Sequence, residues 1–261
     1  MLLGPIVWIL TVVICYIFIG HYWWFPPPIS QHGQAYDAQF TVTLWVTGII
    51  FFLAQAALGW VIIRYRDKGG VAKYSHGNNA LEALWTSATA LLFIGLVLAG
   101  TRIWAAVHFA EAPADALRIE VLGKQFAWSF RYAGPDGKFG RLDIKQINDA
   151  NGNPFGIDAS DPSGKDDLTS ASLKIPAGKP ILLILRSRDV IHNFFVRELR
   201  LKQDIVPGME IPFHFQADTP GTYEVPCSEL CGLGHHQMRT TMEVMAEADF
   251  EKWKREQAAQ K

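Results

Sequence analysis

The sequence predicts a membrane-anchored protein of mixed class, in which membrane-spanning helices precede an all-β domain. Long apolar runs lie before residue 110 of the 261-residue chain, and charged residues are concentrated after Arg64. The second half contains short β-branched and aromatic runs separated by Gly, Pro and Asp turns. With a formal net charge of −1, nothing in the charge suggests a nucleic-acid-binding protein.

Three spans are predicted within an anchor that covers residues 1–110. They lie at about 2–20, 40–63 and 81–107, and the second and third exceed the ~20 residues that a helix needs to cross a bilayer. The first is followed by "HYWWFPPP", an aromatic cluster and proline stop typical of a membrane interface. Because it lacks a basic amino-terminal region and an obvious small-residue cleavage site, we favour a retained helix over a cleaved signal peptide.

The loops between the spans predict the orientation of the chain. The loop after the second span carries Arg64, Arg66, Lys68 and Lys73, whereas residues 21–39 contain no Lys or Arg. The positive-inside rule therefore places the basic loop in the cytoplasm and everything after about Phe109 outside. We expect a multi-pass protein of the bacterial inner (plasma) membrane whose β domain faces the periplasm.

Residues 115–247 form the predicted β domain, and residues 248–261 a short tail helix. Stretches such as "LRIEVLGKQFAWSFRY" and "SLKIPAGKPILLILRS" have the composition of strands, and their spacing favours a sandwich or barrel. The polar stretch at 148–167 is expected to be an exposed loop with little function of its own.

The stretch "VPCSELCGLGHHQM", residues 225–238, places two thiols, two imidazoles and a thioether close together. Two cysteines alone in an oxidising compartment would favour a disulfide. A disulfide does not require His235 four residues after Cys231, or Met238 three residues later. Thiolate, imidazole and thioether are together the ligands of electron-transfer copper.

Counting ligands favours two copper ions over one. A mononuclear blue site uses one Cys and would leave the second thiol idle and easily oxidised. Two thiolates can instead each bridge two metals, and each metal then needs its own imidazole. His235 is one, and we expect His192 to be the other, although a His beside two phenylalanines is more commonly a core residue. His214 and His236 are the rivals; we expect the first to face solvent and the second to point away from the side that His235 faces.

Three separated matches, in the right order, resemble subunit II of the haem-copper cytochrome c oxidases. "GTYEVPCSELCGLGHHQM" carries that family's G-x-Y-x3-C-x-E-x-C-G-x2-H-x2-M signature. "DVIHNFFV" with "LKQDIVPG" is similar to its upstream ligand segment, and "NNALEALWT" to the start of the helix before its copper domain. The resemblance covers about Tyr36 to Trp253 and implies a cupredoxin-like copper domain.

The resemblance also implies a dinuclear copper A centre and a nearby magnesium site. Its metal-binding residues would be His192, Cys227, Glu229, Cys231, His235 and Met238. The two cysteines would bridge both copper ions and the two histidines would be terminal ligands. Met238 and the backbone carbonyl of Glu229 would be weak ligands, and the side chain of Glu229 would reach a magnesium ion shared with subunit I.

Three further residues acquire roles from the resemblance. Phe126 stands where many relatives have the tryptophan through which cytochrome c delivers electrons, and Trp128 is the nearest indole. We expect electrons to enter at the face carrying these two residues. Glu82 matches a carboxylate that marks a proton-uptake entrance into subunit I, although the helix dipole alone also favours a carboxylate there.

The implied function is electron entry into a terminal oxidase. The chain would accept electrons from cytochrome c or a similar donor and pass them to haem in subunit I, where oxygen is reduced. Arg197 and Arg239 replace family prolines, and the first span exceeds the common two-helix plan. The two Arg replacements, together with Phe126 in place of the family tryptophan, leave a copper A subunit of a nitric oxide reductase as an alternative. A metal-free quinol-oxidase subunit and a disulfide-stapled binding module are further ones.

Overall fold

The computed structural model describes residues 2–20, 25–71, 74 and 76–259. The chain divides into two compact units. The helical unit comprises Met1–Phe25 and Ala35–Trp104, and the β unit comprises Pro26–Gln34 and Ala105–Lys261. Lys73, one of the cations used for the orientation, lies outside the described residues.

The helices that precede the β unit confirm the predicted membrane-anchored class. They are α1 (Leu3–Gly20), α2 (Gln31–Arg64) and α3 (Asn79–His108), and each is long and apolar enough to cross a membrane. α2 begins nine residues before the predicted span, because its start depends on a polar cap rather than on hydropathy. Ser30 Oγ accepts from Gly33 N at 3.1 Å. Asn78 Oδ1 caps α3 in the same way, accepting from Leu81 N at 3.1 Å.

Small residues let α1 approach α2 closely. Trp8 Nε1 donates to Ala56 O at 3.1 Å, and its ring lies over Gly59, where a Cβ atom would come within 2.2 Å of the indole nitrogen. Gly4 is similarly close to Ile63, at 2.6 Å from an added Cβ. Close backbone approach at small residues is typical of packing between membrane helices.

The β unit contains ten strands within the described residues. They are β1 (Leu117–Lys124), β2 (Ala127–Tyr132), β3 (Leu168–Ser170), β4 (Leu173–Pro176), β5 (Pro180–Ser187), β6 (His192–Val196), β7 (Leu201–Ile205), β8 (Ile211–Gln216), β9 (Gly221–Pro226) and β10 (Arg239–Met245). The helix α4 (Pro162–Lys165) precedes β3, and α5 (Glu247–Ala259) follows β10.

The strands form three sheets. One has the order β3-β2-β1-β5-β8, the second has the order β4-β10-β9, and the third consists of β6 and β7. β1 pairs in parallel with β5 and β4 with β10, whereas the other pairs are antiparallel. Apolar side chains on β1, β5 and β6 are fully buried; examples are Ile119, Val121, Leu183, Leu185 and Phe194. This mixed β architecture confirms the predicted β class of the domain.

A buried ion network joins β1 and β2 to the connection that leads into β3. The Arg131 side chain is 1% exposed, and its Nη1 donates to Glu120 Oε2 at 2.9 Å. Its Nε donates to Asp167 Oδ2 at 2.9 Å, and burial raises the pKa of that carboxyl. Such a network is stable only while all the charges are present.

The connection at 148–167 is less exposed than the sequence predicts. Phe155 and Ile157 are buried against Leu122 of β1, because the connection folds back onto the sheet. Its Asp149 forms ion pairs with Lys124 and Arg188, with Arg188 Nη2 donating to Oδ2 at 2.8 Å. The connection is therefore fixed to the ends of β1 and β5.

Candidate metal site

The site is built on the loop between β9 and β10, residues 227–238, here called the cysteine loop. An isolated antiparallel bridge between Phe194 and Cys227 ties the loop to β6. Ser228 N also donates to Asn193 O at 3.1 Å. The first and last residues of the loop are also joined, because Cys227 N donates to Met238 O at 2.9 Å. The loop and the start of β6, which carries His192, are thus held side by side.

The two cysteines of the loop are buried free thiols. Cys227 is 7% and Cys231 4% exposed, and their Sγ atoms lie 3.9 Å apart. Burial, and then the neighbouring Cys227, raise the pKa of Cys231 to about 11. A metal that binds here must therefore displace thiol protons, which makes the affinity increase with pH.

Each sulfur has its own imidazole. Cys227 Sγ lies 3.9 Å from His192 Nδ1, and Cys231 Sγ lies 3.6 Å from His235 Nδ1. Met238 Sδ is 3.7 Å from Cys231 Sγ, and its side chain is buried. Cys227 Sγ donates to the carbonyl oxygen of Glu229 at 3.2 Å. The structure thus brings together all the predicted metal-binding positions except the side chain of Glu229, which is exposed.

These donor atoms fit a soft transition metal. His192, Cys227 and Cys231 present ligand atoms that all lie within 4.8 Å of one another. Thiolate and imidazole donors in a buried site suit copper. The thiols are free rather than paired, so the geometry does not support the disulfide alternative.

Two residues that the sequence did not identify orient the site. Asp189 Oδ1 lies 2.8 Å from His192 Nε2, so the carboxylate accepts from that nitrogen and leaves Nδ1 for a metal. Asp189 Oδ2 accepts from Gln125 N at 2.7 Å, and Gln125 Nε2 donates to Cys231 O at 2.6 Å. The position of Asp189 three residues before His192 is the only sequence signal, because Gln125 is far away in sequence.

The structure separates the two aromatic residues expected at the electron-entry face. Phe126 is 37% exposed, and its ring packs against the cysteine loop, where a Cβ on Gly234 would lie 2.4 Å from Phe126 Cδ2. Trp128 is only 3% exposed, so its expected place on the exposed face is wrong. Trp128 lies on β2, where every residue from 128 to 132 is buried, and its ring lies 6.2 Å from the His192 ring and 5.7 Å from the Phe194 ring.

The other candidate residues lie outside this constellation. His214 was expected to face solvent but is half-buried, with Nε2 fully buried. The reason is that the segment Pro26–Gln34 packs alongside the end of β8, where Asp218 N donates to Ile29 O at 2.7 Å. His236 is exposed. Glu82 is exposed in the first turn of α3, in the helical unit.

Comparison with known proteins identifies close relatives. Residues 117–245 match the family described as cytochrome C oxidase subunit II, periplasmic domain. The chain is 37% identical to the alternative cytochrome c oxidase subunit 2 of Bradyrhizobium diazoefficiens, over 90% of this chain and 84% of that protein. It is 30% identical to the cytochrome c oxidase subunit 2 of Thermostichus vulcanus, over 97% of this chain and 86% of that protein. A solved periplasmic domain of subunit II of the cytochrome oxidase of Bradyrhizobium japonicum is 28% identical, with a TM-score of 0.42 over 57% of this chain and 99% of that chain.

Proposed function

Because the chain belongs to the cytochrome c oxidase subunit II family and is thus part of an oxidase complex, we propose that it is the electron-entry subunit. It binds two copper ions at the cysteine loop as a copper A centre. It accepts electrons there from cytochrome c or a similar small redox protein. The electrons then pass to haem in the catalytic subunit I, where oxygen is reduced.

One observation carries the proposal, namely that two buried sulfurs each have a separate imidazole. Cys227 has His192 and Cys231 has His235, at 3.9 and 3.6 Å. A single metal with one thiolate would leave the other buried cysteine without a role. Two shared sulfurs with one imidazole on each side match the requirement of a metal pair.

The protein residues supply orientation, burial and access. When bound, the copper pair would supply one-electron redox chemistry. Asp189 fixes the ring of His192, and Gln125 links that carboxylate to the backbone of the cysteine loop. The low exposure of both cysteines keeps water from the sulfurs. Phe126 offers the donor an aromatic contact that reaches the surface and packs on the loop.

Further roles follow from family membership. The exposed carboxylate of Glu229 would bind a magnesium ion together with subunit I, and Glu82 would mark a proton entrance into that subunit. The membrane would be the bacterial inner membrane, with the β unit on the periplasmic side. The basic loop after α2 and the lack of Lys or Arg in residues 21–39 support this orientation.

The test uses the purified oxidase complex carrying Cys227→Ser. We expect reduced cytochrome c to reduce its haem far more slowly than in the wild-type complex, whereas dithionite, which does not need the copper site, still reduces the haem. Oxygen and nitric oxide consumption by the wild-type complex distinguish an oxidase from a nitric oxide reductase. Unchanged haem reduction by cytochrome c in the variant would show that electrons enter elsewhere.

A further inference from the structure

A cleft of about 290 Å³ lies in the helical unit, between α1 and the end of α2. Its lining residues are Trp8, Trp60, Ile63, Arg64, Arg66 and Lys68. Two indoles and an aliphatic side chain provide an apolar wall, and three cations provide a charged rim. The cleft is independent of the cysteine loop and plays no part in the proposed electron transfer.

The walls of the cleft are fixed by contacts within the helical unit. The indole of Trp8 donates to Ala56 O and lies over Gly59, so its own N–H is already used. The Trp60 ring meets the Tyr65 ring edge to face, with centroids 5.9 Å apart. The Arg64 guanidinium carbon lies 5.6 Å from the centre of the Tyr65 ring. The apolar wall therefore has a defined shape.

The charges on the rim are uncompensated. Arg66 and Lys68 are exposed, and in the described part of the chain no carboxylate forms an ion pair with Arg64, Arg66 or Lys68. Asp67 lies among them, and its Oδ1 accepts from Gly69 N at 2.7 Å. Three cations and one carboxylate leave residues 64–68 with a formal charge of +2.

We propose that this cleft binds the head group of an anionic phospholipid. It lies at the end of a helix that can cross a bilayer, where lipid phosphates and indole rings both concentrate. Basic pockets between membrane helices on the cytoplasmic side are suited to anionic head groups. The positive-inside rule accounts for cations in a loop, but it does not require a cleft with an indole wall. That wall would contact the glycerol and upper acyl chains, which free phosphate lacks.

The experiment titrates phosphatidylglycerol or phosphatidylcholine into the delipidated full-length protein in its complex and measures bound lipid by native mass spectrometry. Replacing Arg64, Arg66 and Lys68 together by Gln should weaken phosphatidylglycerol binding roughly a hundredfold, because each cation contributes roughly fivefold. The matched control replaces the exposed Lys138, Lys145 and Lys252 of the β unit by Gln and should bind as the wild type does. Inorganic phosphate should not compete.

A second variant tests the cleft rather than its charge. Gly59→Val keeps all three cations but forces the Trp8 ring away, so phosphatidylglycerol binding should fall although the charge is unchanged. Three results would overturn the proposal. The triple variant could bind phosphatidylglycerol as tightly as the wild type, the lysine control could lose as much binding as the triple variant, or the wild type could bind phosphatidylcholine as tightly as phosphatidylglycerol. Full binding by Gly59→Val would also contradict it, because surface charge alone would then be sufficient.

Discussion

Phe126 connects the protein surface to the interior of the candidate site. Its ring is partly exposed on one side and packs against Gly232 and Gly234 on the other. Both glycines lack the Cβ atom that would collide with the ring. A donor that touches this ring is therefore separated from the cysteine loop by a single side chain. Trp128, in contrast, is buried, and its ring lies 6.2 Å from that of His192.

Replacing Phe126 by Ala should slow reduction of the complex by its donor about tenfold, the effect of losing one aromatic contact of about 1.4 kcal/mol. Stopped-flow measurements with cytochrome c check this. Phe126→Trp is the matched control, which keeps an aromatic ring and should stay close to the wild-type rate. Wild-type kinetics in Phe126→Ala with an intact copper spectrum would place the entry point elsewhere.

Parts of the site were readable in the sequence, and others were not. The cysteine loop is contiguous, so the spacing of Cys227, Cys231 and His235 was sufficient to propose a metal site. Gln125 and Asp189 depend on contacts between distant segments, and spacing carries no signal for such contacts. The burial of Trp128 depends on which face of β2 meets β6, which is a tertiary property.

At the scale of elements, the connection between β2 and β3 stabilises the five-stranded sheet, whose strand ends position Gln125 and Asp189 beside the site. The Arg131 network fixes one part of it, and Asp149 fixes another by contacting Lys124 and Arg188. Lys124 directly precedes Gln125, and Arg188 directly precedes Asp189. The connection was predicted as an exposed loop because its composition is polar. Composition does not indicate that polar residues form ion pairs with the sheet.

Arg131→Met should destabilise the β unit by about 3–5 kcal/mol, because it removes the guanidinium that pairs with the buried carboxylates of Asp167 and Glu120, and Arg186 contacts only Glu120. Denaturant unfolding followed by tryptophan fluorescence measures the change. Arg118→Met is the matched control, since Arg118 is exposed and stacks on Phe139, and it should cost well below 1 kcal/mol. Equal effects of the two variants would contradict the importance of the network.

The ion pairs of Asp149 should make the stability of the β unit depend on pH in the acidic range. Arg188 and then Lys124 hold its pKa at about 2, below the ordinary value of 3.8. A depressed pKa in the folded state contributes stability above pH ~4 that is lost as the pH falls towards about 2. Because Asp149 is 42% exposed, solvent screens its ion pairs, and we expect its ionisation to contribute about 1 kcal/mol to the stability of the folded protein.

Unfolding of wild-type protein and Asp149→Asn, compared from pH 5 to pH 2, checks this prediction. The wild type should be more stable at pH 5, and the difference should disappear near pH 2. Asp115→Asn is the control, because the exposed Asp115 forms no ion pair among the described residues. A pH-independent difference for Asp149→Asn would mean that its carboxylate charge is not responsible.

At the scale of the whole molecule, the chain combines an apolar anchor with a β unit that carries the metal site. The predicted fold class is correct because hydropathy and strand composition are local signals that survive in any tertiary arrangement. α2 extends nine residues beyond the amino-terminal end of the predicted span, because hydropathy detects the apolar part of a helix and not its polar first turns. Capping by Ser30, rather than apolar content, determines where that helix begins.

The orientation of the anchor is testable by labelling in intact cells. A cysteine introduced at Lys68 should resist a membrane-impermeant maleimide, because the loop after α2 is predicted to be cytoplasmic. A cysteine at Lys252 in α5 should react, and the wild-type chain with its buried Cys227 and Cys231 provides the baseline. Reaction at position 68 without lysis would reverse the arrangement.

The central claim is that the cysteine loop binds a pair of copper ions. It is tested most directly by measuring the copper content of the copper-loaded protein together with its electron paramagnetic resonance spectrum. The account predicts two copper ions per chain and the seven-line hyperfine pattern of one electron shared equally by two copper nuclei. Cys227→Ser should abolish that pattern, because a single remaining thiolate cannot supply both bridges. One copper per chain with the four-line spectrum of a mononuclear site in the wild-type protein would contradict the account.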